Sequence, residues 1–559
     1  MSDLSQSAAI FYLPDGYDLT KPWLMGRQVA GHGFLRAAVA ARGGAPVVGY
    51  GPPNSSAEVF KTAVSAIDST AAAEWFPVTD AARRNAAAVC YRPDAALTGE
   101  ARFRLRHGPG RYCLTGVTHT MSSAGAMAEI AGMLREPLMP WDAVICTSQA
   151  AAETIRRVHE ASADYLRWRH GPQARLGGPQ TPVIPLGVHT GDFAFDEAER
   201  QAARAALGLA ADEVAALFVG RLAFAAKAHP QAMYEGLQAA AERTAVRVVL
   251  IECGWSPNTV IAEAYAKGAA DFAPAVRRLA VDAREQPAAL RRCWAASDLF
   301  VSLSDNIQET FGLTPVEAMA AGLPVVVSDW NGYRDTVRDG VDGFRIRTWA
   351  PAAGFGDPLA EGAEAGGLNY DLYNWGAAST TSLDSVALVE RLSALIADPD
   401  LRRRMGEAGR ARARETFDWA QVYRQYQALW GELNARRLST AANPDEMAWL
   451  AAAPRVAPDR LDPFLAFGHY PTEAISAGTI ARLSEGASLE RYRALAEHVL
   501  WTGARAPERF VAPLWARLER GPATVADGAA AMGSDLVTAA FVVGTLAKMG
   551  LLTLKAPGG

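Results

Sequence analysis

Two pairs of charged residues carry the chemistry this sequence offers. Glu309 and Glu317 stand eight positions apart in SDNIQETFGLTPVEAMAAGLPVVVSDWNG, residues 304–332, and Arg221 and Lys227 stand six apart in ALFVGRLAFAAKAHP. Two cations reaching into one cleft neutralise a phosphate or diphosphate. Two carboxylates there accept from ligand hydroxyls, or act as acid and nucleophile across a glycosidic bond. Plainer roles stand beside these: Glu317 as a helix cap, Glu309 as a solvated loop carboxylate, Arg221 and Lys227 as surface cations. His119, in GVTHTMSS, follows a strand-like run, where a lone histidine is more often structural than catalytic. Near the start, LMGRQVAGHGFLRAAVAARGG reads as a glycine-bearing loop running into a helix, and its glycines let backbone approach a ligand closely.

The elements around the glutamates decide what they can reach. DLFVSLS reads as a strand, and Ser304 to Thr310 is the loop leaving its carboxyl end. Thr314 suits a helix N-cap, Pro315 the first helical position and Glu317 the third, as in a capping box. The helix runs through VEAMAA and stops at Gly322, with Pro324 beyond it. A helix N-terminus delivered to a cleft is a ready-made anion site. Along the chain, short apolar runs alternate with alanine-rich helical segments: AIFYLP, APVVGYG, YCLTGVTH, DAVICTS and TPVIPLG, then AALFVGR, VRVVLIEC, DLFVSLS, PVVVSDW and DGFRIRT. That alternation reads as two parallel sheets covered on both faces, with ligands at the carboxyl ends of the strands. FDEAERQAARAALGL starts the second unit and sets the boundary at residues 190–196.

Composition narrows the class. A chain of 559 residues exceeds one core, and a net charge of −5 shows no bias toward nucleic acid or anionic surfaces. The five cysteines, Cys90, Cys113, Cys146, Cys253 and Cys293, form no C-x-x-C pair, which points to a reducing, cytoplasmic setting without a metal cluster. MSDLSQSAAIFYLPDG has no basic n-region or long apolar run, so no leader is expected. No window reaches the length of a membrane span, and membrane contact is expected to be peripheral at most.

In combination, these segments resemble the family 4 retaining glycosyltransferases, which have the two-lobed GT-B fold. The resemblance is carried by Glu309-Thr310-Phe311-Gly312-Leu313-Thr314-Pro315-Val316-Glu317-Ala318-Met319-Ala320, by GLPVVVSDWNGYRDTVRDGVDGF, and by Gly220-Arg221 with Lys227. WDAVICTS, VIPLGVHTGDF and RRRMGEAGRARARETFDW continue it, over roughly residues 9–435. The spacing from Arg221 to Lys227 is one residue longer than the family's. The resemblance implies an α/β fold: a Rossmann-like acceptor lobe (1–195), a Rossmann-like nucleotide-sugar lobe (196–405) and helices returning to the first lobe (406–438); residues 439–559 lie outside the family's pattern and read as an accessory domain. It implies a retaining, hexosyltransferase-type enzyme that moves sugar from a UDP- or GDP-sugar to a glycan, lipid-linked glycan or protein. Glu309 would contact donor-sugar hydroxyls and Glu317 the ribose, while Arg221 and Lys227 bind the diphosphate. The backbone of Thr310, Phe311, Gly312 and Leu313 would donate to phosphate or sugar. His119 would lie near the anomeric centre, and Gly31 would border the diphosphate and acceptor.

A glycoside hydrolase gives no purpose to the Arg221–Lys227 pair and is set aside. A nucleotide-sugar epimerase and an inactive scaffold of the same fold remain alternatives. No Asp-x-Asp suggests a metal site, and protein cations can serve the leaving group, so neither metal nor cofactor is expected. Residues 348–384 read as a long loop, a lid or binding element, in which Tyr370, Tyr373 and Trp375 stack on ligand or pin the loop. ARFRLRHGPGR, residues 101–111, reads as an edge strand with one charged face. After residue 440, helix, turn, helix and strand outline a small, mainly helical winged-helix-like unit. That tail holds eleven Lys and Arg against twelve Asp and Glu, and its helix 535–549 is apolar nearly all round. Nucleic-acid binding is therefore not expected, whereas dimerisation or docking on a protein partner is.

Overall fold

A computed structural model describes residues 7–20, 26–52, 57–224, 227–282, 284 and 287–557. Residues 1–6, where a leader would begin, and Leu24 and Met25, at the start of the glycine-bearing segment, lie outside the described residues. The chain divides into two compact units, Met1–Ala457 and Pro458–Gly559.

The first unit holds two six-stranded sheets. In the first, β1 (Ala9–Phe11), β2 (Val47–Gly51), β3 (Ala73–Pro77), β4 (Val89–Tyr91), β5 (Cys113–Val117) and β6 (Ala143–Ile145) lie in the order β3-β2-β1-β4-β5-β6, all parallel. The second contains β7 (Val214–Arg221), β8 (Val248–Trp255), β9 (Arg277–Asp282), β10 (Leu299–Ser302), β11 (Val325–Ser328) and β12 (Gly343–Ile346). Its order is β12-β11-β10-β7-β8-β9, again parallel. Both are Rossmann orders, and each reverses direction at one point, between β1 and β4 and between β7 and β10. Crevices for ligands open at such reversals. The central strands are uninterrupted apolar runs because helices cover both faces: Ala215 to Leu217 and Leu299 to Val301 are buried.

Three of these strands lie outside the apolar runs of the sequence. β3, AEWFP, and β9, RRLAVD, are sheet edges with mixed polarity, and β4 has only three residues. Conversely, TPVIPLG contributes only an isolated bridge, Cys146 to Val183, beside a second at Gln180 just before it. ARFRLRHGPGR is not an edge strand: Thr98–His107 is a helix. The alternation of Arg with apolar residues misleads because Arg104 faces inward, fully buried, with both terminal nitrogens on Asp142 at 2.6 Å. Arg102 pairs with Glu136 at the same helix.

The helix Trp419–Ser439 packs on the helix Gly26–Ala41 of the first lobe. Phe34 meets Tyr423 and Tyr426 at 5.5 Å. Trp419 fills a slot left by Gly33 and Gly187, where a Cβ would come within 2.4 Å of its ring. Gly31 also lies inside the Gly26–Ala41 helix and not in a loop. It backs onto the Pro14–Gly16 turn so closely that a Cβ would be 2.2 Å from the Gly16 carbonyl oxygen.

Residues 348–384 are not an open loop. The two-residue strands β13 (Thr348–Trp349) and β14 (Ser382–Leu383) pair as an antiparallel neck, and helices Asp357–Glu364 and Tyr370–Ala378 lie beyond it.

The second unit has its own core, with Val511, Leu514, Trp515, Val543 and Leu546 buried. Its strands β15 (Ile480–Leu483), β16 (Ala523–Thr524) and β17 (Leu552–Lys555) form an antiparallel sheet in the order β16-β15-β17. Helix Glu508–Leu518, β16, helices Val525–Met532 and Leu536–Lys548, and β17 follow in succession. The last helix is not buried all round: Ala539, Val542, Val543 and Leu546 face the core, while Leu536, Val537 and Phe541 are exposed. Among the described residues no single helix is long and apolar enough to cross a membrane.

Candidate active site

The reversal of the second sheet places two loops side by side, because β7 and β10 are neighbours paired at Phe300 and Leu217. The loop after β7 carries Lys227 and the loop after β10 carries Glu309. The Lys227 ammonium lies 3.0 Å from Glu309 Oε2. Glu309 Oε1 accepts from the N–H groups of Thr310 at 3.1 Å and Phe311 at 3.3 Å. Burial pushes the Glu309 carboxyl up, but the Lys227 charge and these N–H groups outweigh it and hold it below the usual range. The Phe311 N–H is therefore already engaged. Its ring is core, edge-on to Phe417 at 6.1 Å.

Asn306 holds this pair in place, and no sequence signal singled it out. Its Nδ2 donates to the Lys227 carbonyl at 2.5 Å, and its Oδ1 accepts from the N–H groups of Gln308 and Glu309. One side chain thus fixes the backbone of both loops. From behind, Trp330 Nε1 donates to the Asn306 carbonyl at 2.8 Å and Asn331 Nδ2 to the Glu309 carbonyl at 2.9 Å. Asp305 next door is buried and accepts from the His229 N–H at 3.0 Å, while its other oxygen has no partner. Burial pushes its carboxyl up to about 7.

The helix that follows is Leu313–Ala321, and its N-cap is Gly312, with no side-chain cap. Thr314 is therefore the second helical residue and Glu317 the fifth, so the expected capping box does not form. The reason is Gly312 itself: its backbone is left-handed, φ 91°, and a Cβ would lie 2.1 Å from the Tyr333 ring. That tight turn starts the helix early and leaves the first-turn N–H groups at the carboxyl edge of the sheet. Glu317 sits about one turn along, partly buried, with no hydrogen-bond or ion-pair partner among the described residues, and burial pushes its carboxyl up to about 7. The helix ends as expected at Gly322, φ 80°.

Arg221 is the last residue of β7. Its guanidinium lies 5.8 Å from the centre of the Trp255 ring, and no carboxylate pairs with it among the described residues. A partly buried arginine at the carboxyl end of a strand, with no carboxylate partner among the described residues, can receive an anionic ligand. From the first lobe, His119 follows β5 and its Nε2–H donates to the Pro93 carbonyl at 2.9 Å, while burial lowers its pKa. That ring is neutral at neutral pH, with Nδ1 as its acceptor. Ser148, at the end of β6, donates to the Thr310 carbonyl at 2.6 Å and joins the lobes at the donor loop. The structure thus brings Lys227, Glu309, Thr310, Phe311 and Gly312 into one network. Arg221, against the Trp255 ring, and Glu317 have no hydrogen-bond or ion-pair partner among the described residues, and Gly31 has a packing role in the first lobe.

Residues 213–357, which span the second sheet, match the family model described as glycosyl transferases group 1. The chain is 30% identical over 251 residues to a D-inositol 3-phosphate glycosyltransferase of Segniliparus rotundus, covering 43% of this chain and 50% of that protein. It is 31% identical over 298 residues to the D-inositol 3-phosphate glycosyltransferase of Actinosynnema mirum, covering 46% of this chain and 67% of that one. The alpha-maltose-1-phosphate synthase of Mycolicibacterium smegmatis is 27% identical over 320 residues, 54% of this chain and 71% of that protein. The match thus spans about half the length of the first relative. Among solved structures, that of Anabaena Alr3699/HepE in complex with UDP aligns with a TM-score of 0.49 and 18% identity, over 78% of this chain and 100% of that one.

Proposed function

The chain belongs to the group 1 glycosyltransferases, and on that premise we propose that it is a retaining, hexosyltransferase-type enzyme that takes its sugar from a nucleoside-diphosphate sugar. The observation that carries this reading is the juxtaposition at the β7–β10 reversal: Lys227 on Glu309, Arg221 at the end of β7 with no carboxylate partner among the described residues, and a helix that starts just after the β10 loop. Breaking a glycosyl–phosphate bond builds negative charge on the diphosphate, and preoriented cations and N–H groups there lower the barrier. Arg221 and Lys227 bind the diphosphate. Glu309, ionised and held by its own loop, accepts from sugar hydroxyls, with Lys227 turning from it toward the donor. Glu317 takes the ribose. Neutral His119 lies beside the sugar on the first-lobe side. Two protein cations supply the charge that a metal ion supplies elsewhere, so the proposed reaction is metal-independent.

We put a small phosphorylated polyol, as in the names of the inositol relatives, first among acceptors to test. Glycans, lipid-linked glycans and proteins follow. The second unit, winged-helix-like in its helix-strand-helix-helix-strand succession, we assign to docking or dimerisation, with Val537 and Phe541 exposed for it. We propose a cytoplasmic location, supported by five buried thiols without a disulfide.

The test is a donor screen with UDP-, GDP- and ADP-glucose, with and without D-inositol 3-phosphate and with and without chelator. Ligand stabilisation, about 2.7 kcal/mol at a hundred times Kd, identifies the nucleotide. Product NMR should show an α-linked sugar from an α-linked donor. An inverted linkage removes the retaining assignment. Nucleotide release with an epimerised sugar favours the epimerase, and binding without turnover of any donor favours the scaffold.

A further inference from the structure

The excursion between β12 and β14 has no part in the site described above, yet it reaches that site from two sides. It leaves the second sheet at its carboxyl edge, because β12 runs parallel to β11 and β10. The Asp384 N–H donates to the Arg347 carbonyl at 3.0 Å, so the excursion departs and returns at one point through the β13–β14 neck. Its two helices pack on each other where Gly376 backs onto Leu359. Tyr370 and Asn374 fall at i and i+4 on one side of the second helix, and Trp375 lies round the helix beside Asn374. The Tyr370 hydroxyl donates to Gln308 Oε1 at 2.7 Å, next to Glu309. Asn374, 1% exposed, accepts at Oδ1 from Ser122 Oγ at 2.9 Å, in the first-lobe loop that carries His119. Trp375 meets Phe224 edge-on at 5.5 Å, in the loop that carries Lys227. Three loops from two lobes converge on this helix.

We propose that the excursion is a cap over the sugar-and-acceptor end of the cleft, and that Ser122, Tyr370 and Asn374 limit which acceptors enter. This rests on the donor-site reading above. The anchors at Gln308 and Ser122 adjoin Glu309 and the His119 loop, and none of these contacts involves Glu317, so on this proposal the nucleotide exchanges with the cap shut. A covered sugar is shielded from water and meets only an acceptor small enough to share the space. An extended acceptor needs the cap to swing on its neck, and a two-stranded ribbon this short resists that weakly.

The test joins Ser122→Cys to Asn374→Cys with a two-carbon bis-thiosulfonate, which reaches these buried positions only as the cap opens, whereas the five native thiols are buried in the lobes away from it. The probes are UDP, UDP-glucose and D-inositol 3-phosphate, with the nucleotide changed to whichever the wild type binds. The linked protein should bind UDP within about twofold of the unlinked form, lose about tenfold or more in transfer, and recover on reduction. Asn374→Ala should raise acceptor KM and the share of donor lost to water, with donor KM unchanged. The proposal is overturned by full transfer in the linked protein, by loss of UDP binding in step with transfer, or by singly reactive cysteines that refuse the crosslink. A wild type that binds no nucleoside diphosphate defeats the donor-site reading, and the cap with it, before any crosslink is made.

Discussion

The Lys227 ammonium and the Glu309 carboxylate meet at 3.0 Å across the two loops that flank the reversal of the second sheet. The pair does two things at once. It keeps the Glu309 carboxylate ionised, and, on the function proposed above, it parks a cation where diphosphate charge would develop. Lys227→Met should therefore cost turnover about 10²-fold. It should also change the pH dependence of stability. Glu309 titrates below its ordinary value, so the pairing stabilises the fold above that value and is lost as pH falls through the lowered one. With Lys227 more than a third exposed, the stabilisation is about 0.5–1 kcal/mol. Thermal melts should separate the two proteins at pH 7 and bring them together as pH falls below the ordinary glutamate value and through the lowered one. A gap that does not change with pH removes the pairing from the argument.

Arg221 has no counter-ion among the described residues, so its removal should touch chemistry more than stability. Arg221→Ala is expected to melt within about 0.5 kcal/mol of wild type and to lower kcat about 10²-fold at saturating donor. Arg221→Lys should recover only part of this, because a compact ammonium cannot reproduce the guanidinium fork. Normal turnover of the alanine variant would rule out Arg221 as a diphosphate ligand.

Gly312 and Gly31 should respond differently to the same added methyl. Gly312→Ala meets a left-handed backbone and the Tyr333 ring together, at a cost of about 2 kcal/mol or more, and it displaces the start of the donor helix, so donor KM rises. Gly31→Ala pushes on the Gly16 carbonyl and should cost about 1–3 kcal/mol in stability with donor KM unchanged. A Gly31 variant that melts normally but binds donor poorly would return Gly31 to the diphosphate.

How much of this was legible in the sequence depended on the range of the interactions. Glu309 and its strand-loop-helix setting were legible because DLFVSLS, the polar loop and the small-residue helix are contiguous. The true start of that helix was not, because it depends on Tyr333, twenty-one residues further on. The helix 98–107 was misread because Arg104 is reconciled with burial only by Asp142, thirty-eight residues away. β9 begins with two arginines whose partners, Glu213 and Glu252, lie in other strands or loops. Asn306 and Asn374 look like ordinary loop and helix amides until their partners are in place.

Truncation after Ala457 should leave the nucleotide site intact. The second unit has a closed core of its own around Trp515 and Leu546, and all the donor-site residues fall in the first unit. Nucleoside diphosphate affinity of residues 1–457 should lie within about twofold of full length, measured by calorimetry. Residues 458–559 alone should melt cooperatively. A truncated chain that folds but no longer binds nucleotide would give the second unit a role in the site.

Glu317 offers the sharpest pH experiment. Its carboxyl is pushed up to about 7 by burial with no partner to oppose it, so the free protein carries it largely protonated in mild acid. A raised acid value means that stability is fullest near the ordinary glutamate value and declines as pH rises toward 7, with a constant penalty above. Glu317→Gln should therefore match wild type near pH 4.5 and be more stable at pH 8, by up to about 3 kcal/mol. That is the opposite of what a capping glutamate would do. If ribose hydroxyls need the ionised carboxylate, nucleotide binding must first remove its proton. Affinity should then fall by roughly thirtyfold between pH 8 and pH 5.5, beyond any loss seen with Glu317→Gln, which controls for titration of the nucleotide's own phosphate. Parallel pH profiles for the two proteins would take Glu317 away from the ribose and leave it a buried carboxyl without a ligand.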